Sequence, residues 1–181
     1  VNGHKTIARF PSGVITAPPS KSLSHRAVIC AALADGRSVV ENIGVSRDIE
    51  ATVGCMAALG AGFSRVNGRL TAEGTACPAA GGTLDCGESG STLRFLLPLA
   101  ALSGRPARLT GQGRLMERPM GPYLDALGAR GAALVPEDGG LTVRGPLTAG
   151  TYALPGDVSS QFVSGLLFAL PLLEGDSEIV L

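Results

Sequence analysis

Basic and hydroxyl side chains recur at one kind of place in this sequence. Ser20-Lys21-Ser22 stands shortly before Arg26, Ser89-Gly90-Ser91 before Arg94, and Ser159-Ser160-Gln161 before an apolar run. A glycine-rich stretch between the second and third of these holds Arg114 and Arg118. Each serine group reads as the opening of a helix, where unpaired N–H groups and the positive dipole end attract an anion. One such contact is worth ~0.3–1 kcal/mol when exposed and up to ~2 when partly buried. Three helix openings aimed into one crevice, with these cations beside them, suit a small ligand bearing phosphate and carboxylate groups, which arginine grips as a bidentate fork. Lys21 is the most telling residue. A positive charge in the first turn opposes the dipole, so its placement points to function rather than local stability. The others have plain structural readings: a serine caps, Arg94 packs or pairs within an apolar helix, Arg118 fixes a loop, and His25 is a packed or surface histidine.

The elements that must carry these residues repeat. Gly36 recurs as Gly104, and Leu59-Gly60-Ala61 as Leu127-Gly128-Ala129, a common spacing of 68 positions. The repeated plan is β-α-β-α-β-β. In the first unit Val14 to Ala17 reads as extended, a helix runs to about Ala34, and Ser38 to Ile43 is a strand. Ser46 caps a second helix with Ile49, Val53, Met56 and Gly60 on one face, and Asn67-Gly68 joins a hairpin. The second unit predicts a strand at Thr83 to Cys86, a helix to Ser103 that Pro98 should kink or shorten, and a strand at Ala107 to Thr110. A helix opening near Pro119 and Pro122 follows, then a hairpin through Asp138-Gly139-Gly140. The third gives a strand at Thr151 to Leu154, a helix from Ser159 to Leu173 and a strand at Ser177 to Leu181. The units span about 14–78, 79–147 and 148–181, the third being incomplete. Such units are too small to bury both faces alone, so the expectation is an α/β fold with shared helices inside and sheets outside. A last strand with an open edge points to pairing of two copies as a dimer through the third unit.

Composition excludes several classes. Formal net charge is zero and there is no Trp, which argues against a nucleic-acid partner. The longest nearly apolar stretch, Phe162 to Leu173, is too short to span a bilayer, and the opening residues lack a signal-peptide pattern, so the expected location is cytoplasmic. Cys30, Cys55, Cys77 and Cys86 form no CxxC pair and read as small apolar residues, with no metal site. Neither a GxxxxGK[ST] loop nor a GxGxxG turn is present.

Four motifs in order resemble the EPSP synthase (3-phosphoshikimate 1-carboxyvinyltransferase) family: Ala17-Pro18-Pro19-Ser20-Lys21-Ser22-Leu23-Ser24-His25-Arg26, then Gly87-Glu88-Ser89-Gly90-Ser91-Thr92-Leu93-Arg94, then Leu109-Thr110-Gly111 with Arg114-Leu115-Met116-Glu117-Arg118-Pro119, and Gly156-Asp157-Val158-Ser159-Ser160-Gln161. The resemblance covers the whole chain but only the front part of the family's length. It implies an inverse α/β barrel half built from βαβαββ units. It also implies transfer of the enolpyruvyl group of phosphoenolpyruvate to the 5-hydroxyl of shikimate 3-phosphate, by addition and elimination, without metal or organic cofactor. Carried over residue by residue, Lys21, Gly90, Arg114 and Gln161 would face phosphoenolpyruvate, with Lys21 as the catalytic residue. Ser22 and Arg26 would hold the shikimate carboxylate and ring, and Ser159 and Ser160 its 3-phosphate, with Gln161 touching both substrates.

Glu88 stands where the family often has Asn, and Phe95 where it often has Pro, near the pocket that the inhibitor glyphosate occupies. The family's proton-transferring acids lie in a carboxy-terminal half. The expectation is therefore a chain inactive alone, whose residues 1–13 associate with that half. Two rivals stand beside this reading. One is the transferase acting on UDP-N-acetylglucosamine, which typically has Lys-Asn at Lys21-Ser22 and a loop cysteine near Arg114 to Met116. The other is a non-catalytic anion-binding module.

Overall fold

A computed structural model describes residues 12–75, 78 and 81–181. The 68-residue repeat is visible in it as three successive units. The first contains α1 (Lys21–Leu33), β1 (Gly36–Val40), α2 (Arg47–Ala58), β2 (Gly62–Val66) and β3 (Arg69–Gly74). The second contains β4 (Gly82–Asp85), α3 (Gly90–Ala100), β5 (Ala107–Thr110), a 3₁₀ turn at Leu115–Glu117, α4 (Gly121–Gly128), β6 (Ala133–Glu137) and β7 (Gly140–Arg144). The third contains β8 (Thr151–Ala153), α5 (Ser160–Ala169), a 3₁₀ turn at Leu170–Leu172 and β9 (Glu178–Val180).

Two pairings recur. In the second and third units the strand after the first helix pairs parallel to the strand before it, β4 with β5 and β8 with β9. In the first and second units the strand after the first helix takes the second strand of the hairpin, antiparallel, in β1–β3 and β5–β7. The hairpin of the first unit turns through Asn67 and Gly68, both at positive φ (50° and 76°), as a two-residue primed turn requires.

Val14 to Ala17 depart from the sequence expectation. They join no ladder, and Val14 and Ile15 are exposed. Pro18 and Pro19 offer no N–H, and β1 pairs only with β3 among the described residues. Residues 1–11 and Cys77 lie outside the described residues.

The helices form the centre. Helix α3 is buried nearly all round and packs most heavily on α5, while β1, β2 and β6 keep one face in solvent. The main core joins Ile29 of α1, Met56 of α2, Leu96 of α3, Tyr123 of α4 and Leu166 of α5. Two expectations need correction. The buried face of α2 is Ile49, Thr52, Cys55 and Met56, with Val53 at its margin, because Thr52 has a buried polar partner. Cys30 is exposed, whereas Cys55 and Cys86 are buried as expected.

Pro98 does not break α3; it sits in the last turn, and the helix ends at Ala100 instead of Ser103. A proline leaves the carbonyl four residues earlier without its amide partner. That carbonyl belongs to Arg94, and the phenol of Tyr123 donates to it at 2.9 Å. No helix among the described residues is long and apolar enough to cross a membrane.

Candidate anion-binding site at four helix openings

Each helix opening is set locally by a serine. Ser20, Ser46, Ser89 and Ser159 cap α1, α2, α3 and α5, and each accepts a backbone N–H two or three residues on. The side chains of the first two turns then tie these openings to one another. Lys21 of α1 donates to Asp48 Oδ2 of α2 at 2.7 Å. Arg26 of α1 donates to Ser164 Oγ of α5 at 2.9 Å. Gln161 of α5 accepts from Arg94 Nη1 at 2.8 Å and donates to Ser91 Oγ at 2.9 Å, both on α3. The N-terminal ends of four helices are therefore neighbours, as the sequence implied for three.

A buried chain of hydroxyls lies beneath them. His25 Nδ1 meets Thr52 Oγ1 at 2.7 Å, Thr52 Oγ1 meets Thr92 Oγ1 at 2.7 Å, and Thr92 Oγ1 donates to Ser89 Oγ at 2.7 Å. It connects α1, α2 and the cap of α3. His25 is 1% exposed, and its Nε2 has no hydrogen-bond partner among the described residues. A bare acceptor there costs less than an orphaned N–H, which favours the tautomer with the proton on Nδ1. Burial pushes the imidazole down to about 4, with Asp48 opposing the shift and Lys21 and Arg26 reinforcing it, so the ring is neutral at pH 7. His25 is the packed histidine that the sequence suggested.

Positive charge collects above the chain. Among the described residues, Arg26, Arg94 and Arg118 have no carboxylate within 4.0 Å. Arg26 lies 5.0 Å over the ring of Phe95, and Arg94 lies 5.0 Å over the ring of Phe162. Arg94 does join structural elements, but through Gln161 and an aromatic face rather than an ion pair. Burial, then the like charge of Arg118, press its guanidinium below the usual value. Arg118 reaches across the start of α3: a Cβ on Gly90 would overlap Arg118 Nη1, so the glycine admits the guanidinium.

The predicted site residues divide into two groups. Lys21, Arg26, Gly90, Ser159 and Gln161 belong to the joined helix openings. Ser22 and Ser160 are exposed beside them; their carbonyls accept from Arg26 Nη1 at 3.0 Å and from Ser164 Oγ at 3.0 Å. Arg114 stands apart. It is exposed, pairs with Glu117 at 2.8 Å, and lines a cleft of about 390 Å³ with Glu117, Arg118 and Pro119. Lys21 lines a different cleft of about 190 Å³ with Pro18, Pro19, Gly44, Val45, Ser46 and Ile49. Convergence thus resides in the helix ends, while Lys21 and Arg114 line separate clefts. In sequence Asp48 is only a carboxylate in the first turn of a helix, where the dipole favours it, and Thr52 and Thr92 belong to no motif of their own. Their signal is weak, because a threonine in the first or second turn of a helix resembles any other.

The repeated α/β units place the chain in the fold class of the enolpyruvyl transferases. The enolpyruvyl transferase NikO from Streptomyces tendae, 17% identical, shares the fold, with a TM-score of 0.57 over 85% of this chain and 36% of its own. EPSP synthase from Acinetobacter baumannii superposes with a TM-score of 0.79 at 29% identity, over 93% of this chain and 40% of that one. The sequence profile of the EPSP synthase (3-phosphoshikimate 1-carboxyvinyltransferase) family matches residues 6–181, and the chain belongs to that family. The 3-phosphoshikimate 1-carboxyvinyltransferases of Clostridium beijerinckii and Clostridium kluyveri are each 46% identical to it, over 94% and 92% of this chain. The chain spans about two fifths of the length of these curated relatives: 41% and 40%.

Proposed function

We propose that this chain supplies the amino-terminal share of a site that transfers the enolpyruvyl group of phosphoenolpyruvate to the 5-hydroxyl of shikimate 3-phosphate. The observation that carries the reading is the set of helix openings joined by Lys21–Asp48, Arg26–Ser164 and Gln161–Arg94, with three guanidinium groups beside them that have no acid partner among the described residues. Both substrates carry a phosphate and a carboxylate, and fixed donors and cations need not reorganise when they bind. Lys21, Gly90, Arg118 and Gln161 would surround the phosphoenolpyruvate phosphate, with Arg114 at the margin of the same loop. Ser22 and Arg26 would hold the shikimate ring and carboxylate, and Ser159 and Ser160 its phosphate.

In the reaction the 5-hydroxyl oxygen bonds to C2 of phosphoenolpyruvate and gives up its proton while C3 takes a proton. Loss of a proton from C3 then re-forms the C2=C3 bond as the C2–O bond to the phosphate breaks and phosphate leaves. The groups on this chain orient both anions and stabilise the departing phosphate, which is where preorganised charge lowers a barrier. None of the residues assigned here is an acid suited to the proton transfers, so we infer that the remaining length of the whole protein provides them and that the chain alone does not turn over. Pairing of two copies through the third unit belongs to the same proposal.

Calorimetry of the chain with shikimate 3-phosphate and with UDP-N-acetylglucosamine tests the substrate class. Binding of the first alone is expected. Preference for the second would move the chain to the sister transferase. Phosphate release by the purified 181-residue chain would refute the division of labour.

A further inference from the structure

Lys21 is the first residue of α1, where the helix dipole repels its ammonium. What holds it there is Asp48, whose carboxylate is 2.7 Å away and 29% exposed. Asp48 lies in the first turn of α2, where a carboxylate is favoured. It is also held from below. Its carbonyl lies 3.2 Å from Thr52 Oγ1 and 3.4 Å from Thr92 Oγ1, the two hydroxyls in the middle of the buried chain from His25 to Ser89, each of which shares its single proton between this carbonyl and its shorter 2.7 Å partner in the chain. Glu50, in the same turn, faces elsewhere and pairs with Arg65 of the hairpin. Of the two acids at this opening, one braces a hairpin, and the other meets the cation whose location on the helix has no structural benefit.

Resting on the reading of the site as a receptor for phosphorylated substrates, we propose that Asp48 is the positioning residue for Lys21. It keeps the ammonium extended from α1 at the shared helix openings, and the hydroxyl chain through Thr52 and Thr92 sets where Asp48 stands relative to α3. An incoming phosphate shares or takes over the ammonium, while Asp48 touches no substrate atom. A free carboxylate competing for Lys21 would instead weaken anion binding, and the two roles predict opposite effects of removing it.

The chain has two lysines, Lys5 and Lys21, so lysine labelled with ¹³C at Cε gives two resonances, one of which vanishes in Lys21→Ala. Shikimate 3-phosphate is titrated into the unsubstituted chain, Asp48→Asn, Asp48→Glu, Lys21→Ala and the Lys21→Ala/Asp48→Asn double variant, with circular dichroism to verify folding. Asp48→Asn is expected to shift the Lys21 resonance and weaken binding about fivefold, Asp48→Glu to restore part of the loss, and the double variant to bind no worse than Lys21→Ala. Unchanged or tighter binding by Asp48→Asn, or losses that simply add in the double variant, overturns the positioning role. Should Asp48→Asn not fold, Asp48→Glu decides: full binding with an unmoved Lys21 resonance also overturns it. If Asp48→Asn shifts Lys21 but the unsubstituted chain takes up no shikimate 3-phosphate, the substrate reading itself has failed, and the role of Asp48 falls with it.

Discussion

Tyr123 donates to the carbonyl of Arg94 at 2.9 Å, the acceptor that Pro98 leaves without its helical amide. The same phenol lies 2.8 Å from the carbonyl of Phe162 on α5, and its ring meets the Phe162 ring edge-on at 4.8 Å. One side chain from α4 thus closes a gap in α3 and fastens α3 to α5, the two helices that carry Arg94 and Gln161. Tyr123→Phe keeps the ring and removes the hydroxyl, leaving the buried Arg94 carbonyl unsatisfied and the Phe162 carbonyl, which keeps its helical amide, with one contact fewer. Urea unfolding should show a loss of about 1–3 kcal/mol. Burial drives the phenol well above its ordinary value, so absorbance at high pH should show Tyr123 ionising only as the protein unfolds. A variant as stable as the parent would mean that water serves these carbonyls equally well.

Gly165 marks the closest approach of α3 and α5. A Cβ there would overlap both the Tyr123 hydroxyl and the Arg94 carbonyl. The backbone atom cannot move aside as a side chain can. Gly165→Ala should cost about 1–3 kcal/mol through overpacking, despite the better helix propensity of alanine. It should also weaken ligand binding by separating Gln161 from Arg94, which calorimetry on the folded variant would reveal.

Gly90→Ala is predicted to behave in the opposite way. The added methyl meets only the tip of Arg118, which is free to swing. Stability should stay within about 0.5 kcal/mol of the parent. The affinity for shikimate 3-phosphate or phosphoenolpyruvate should fall, because the guanidinium no longer rests on the opening of α3. Parallel denaturation and titration separate the two effects, and equal losses in both would count against the assignment.

His25 gives a pH signature. Its imidazole sits at about 4 in the folded protein and near 6.5 when unfolded, chiefly through burial. Between these values the unfolded chain takes a proton that the folded one refuses. Stability is therefore complete above about pH 6.5 and declines as pH falls towards 4, by roughly 2 kcal/mol between pH 7 and pH 5 for one such group. Urea midpoints of the parent and of His25→Gln at these two pH values would isolate the term. The prediction is lost if both proteins decline equally.

The repeat, the helix openings and the hairpin turns were legible because each depends on local chemistry. A serine caps its own helix, Asn67-Gly68 makes its own turn, and a 68-residue period needs only comparison of one stretch with another. The same locality explains the misreadings. Helix periodicity put Val53 in the core ahead of Thr52, since a polar residue looks solvent-facing until a distant histidine and threonine supply its partners. Pro98 was expected to kink or shorten its helix; it lies in the last turn, and Tyr123 fills the acceptor it vacates.

Sequence by itself determined which residues carry charge to the helix openings. Only the tertiary structure decided which of them meet: that Gln161 bridges to Arg94 across 67 positions, that Arg118 rests on Gly90 while Arg114 turns to Glu117, and that Asp48 holds Lys21. The physical reason is range. Capping, turns and dipoles act within a few residues, whereas these contacts depend on how helices from different units pack, and no short stretch of sequence encodes that packing.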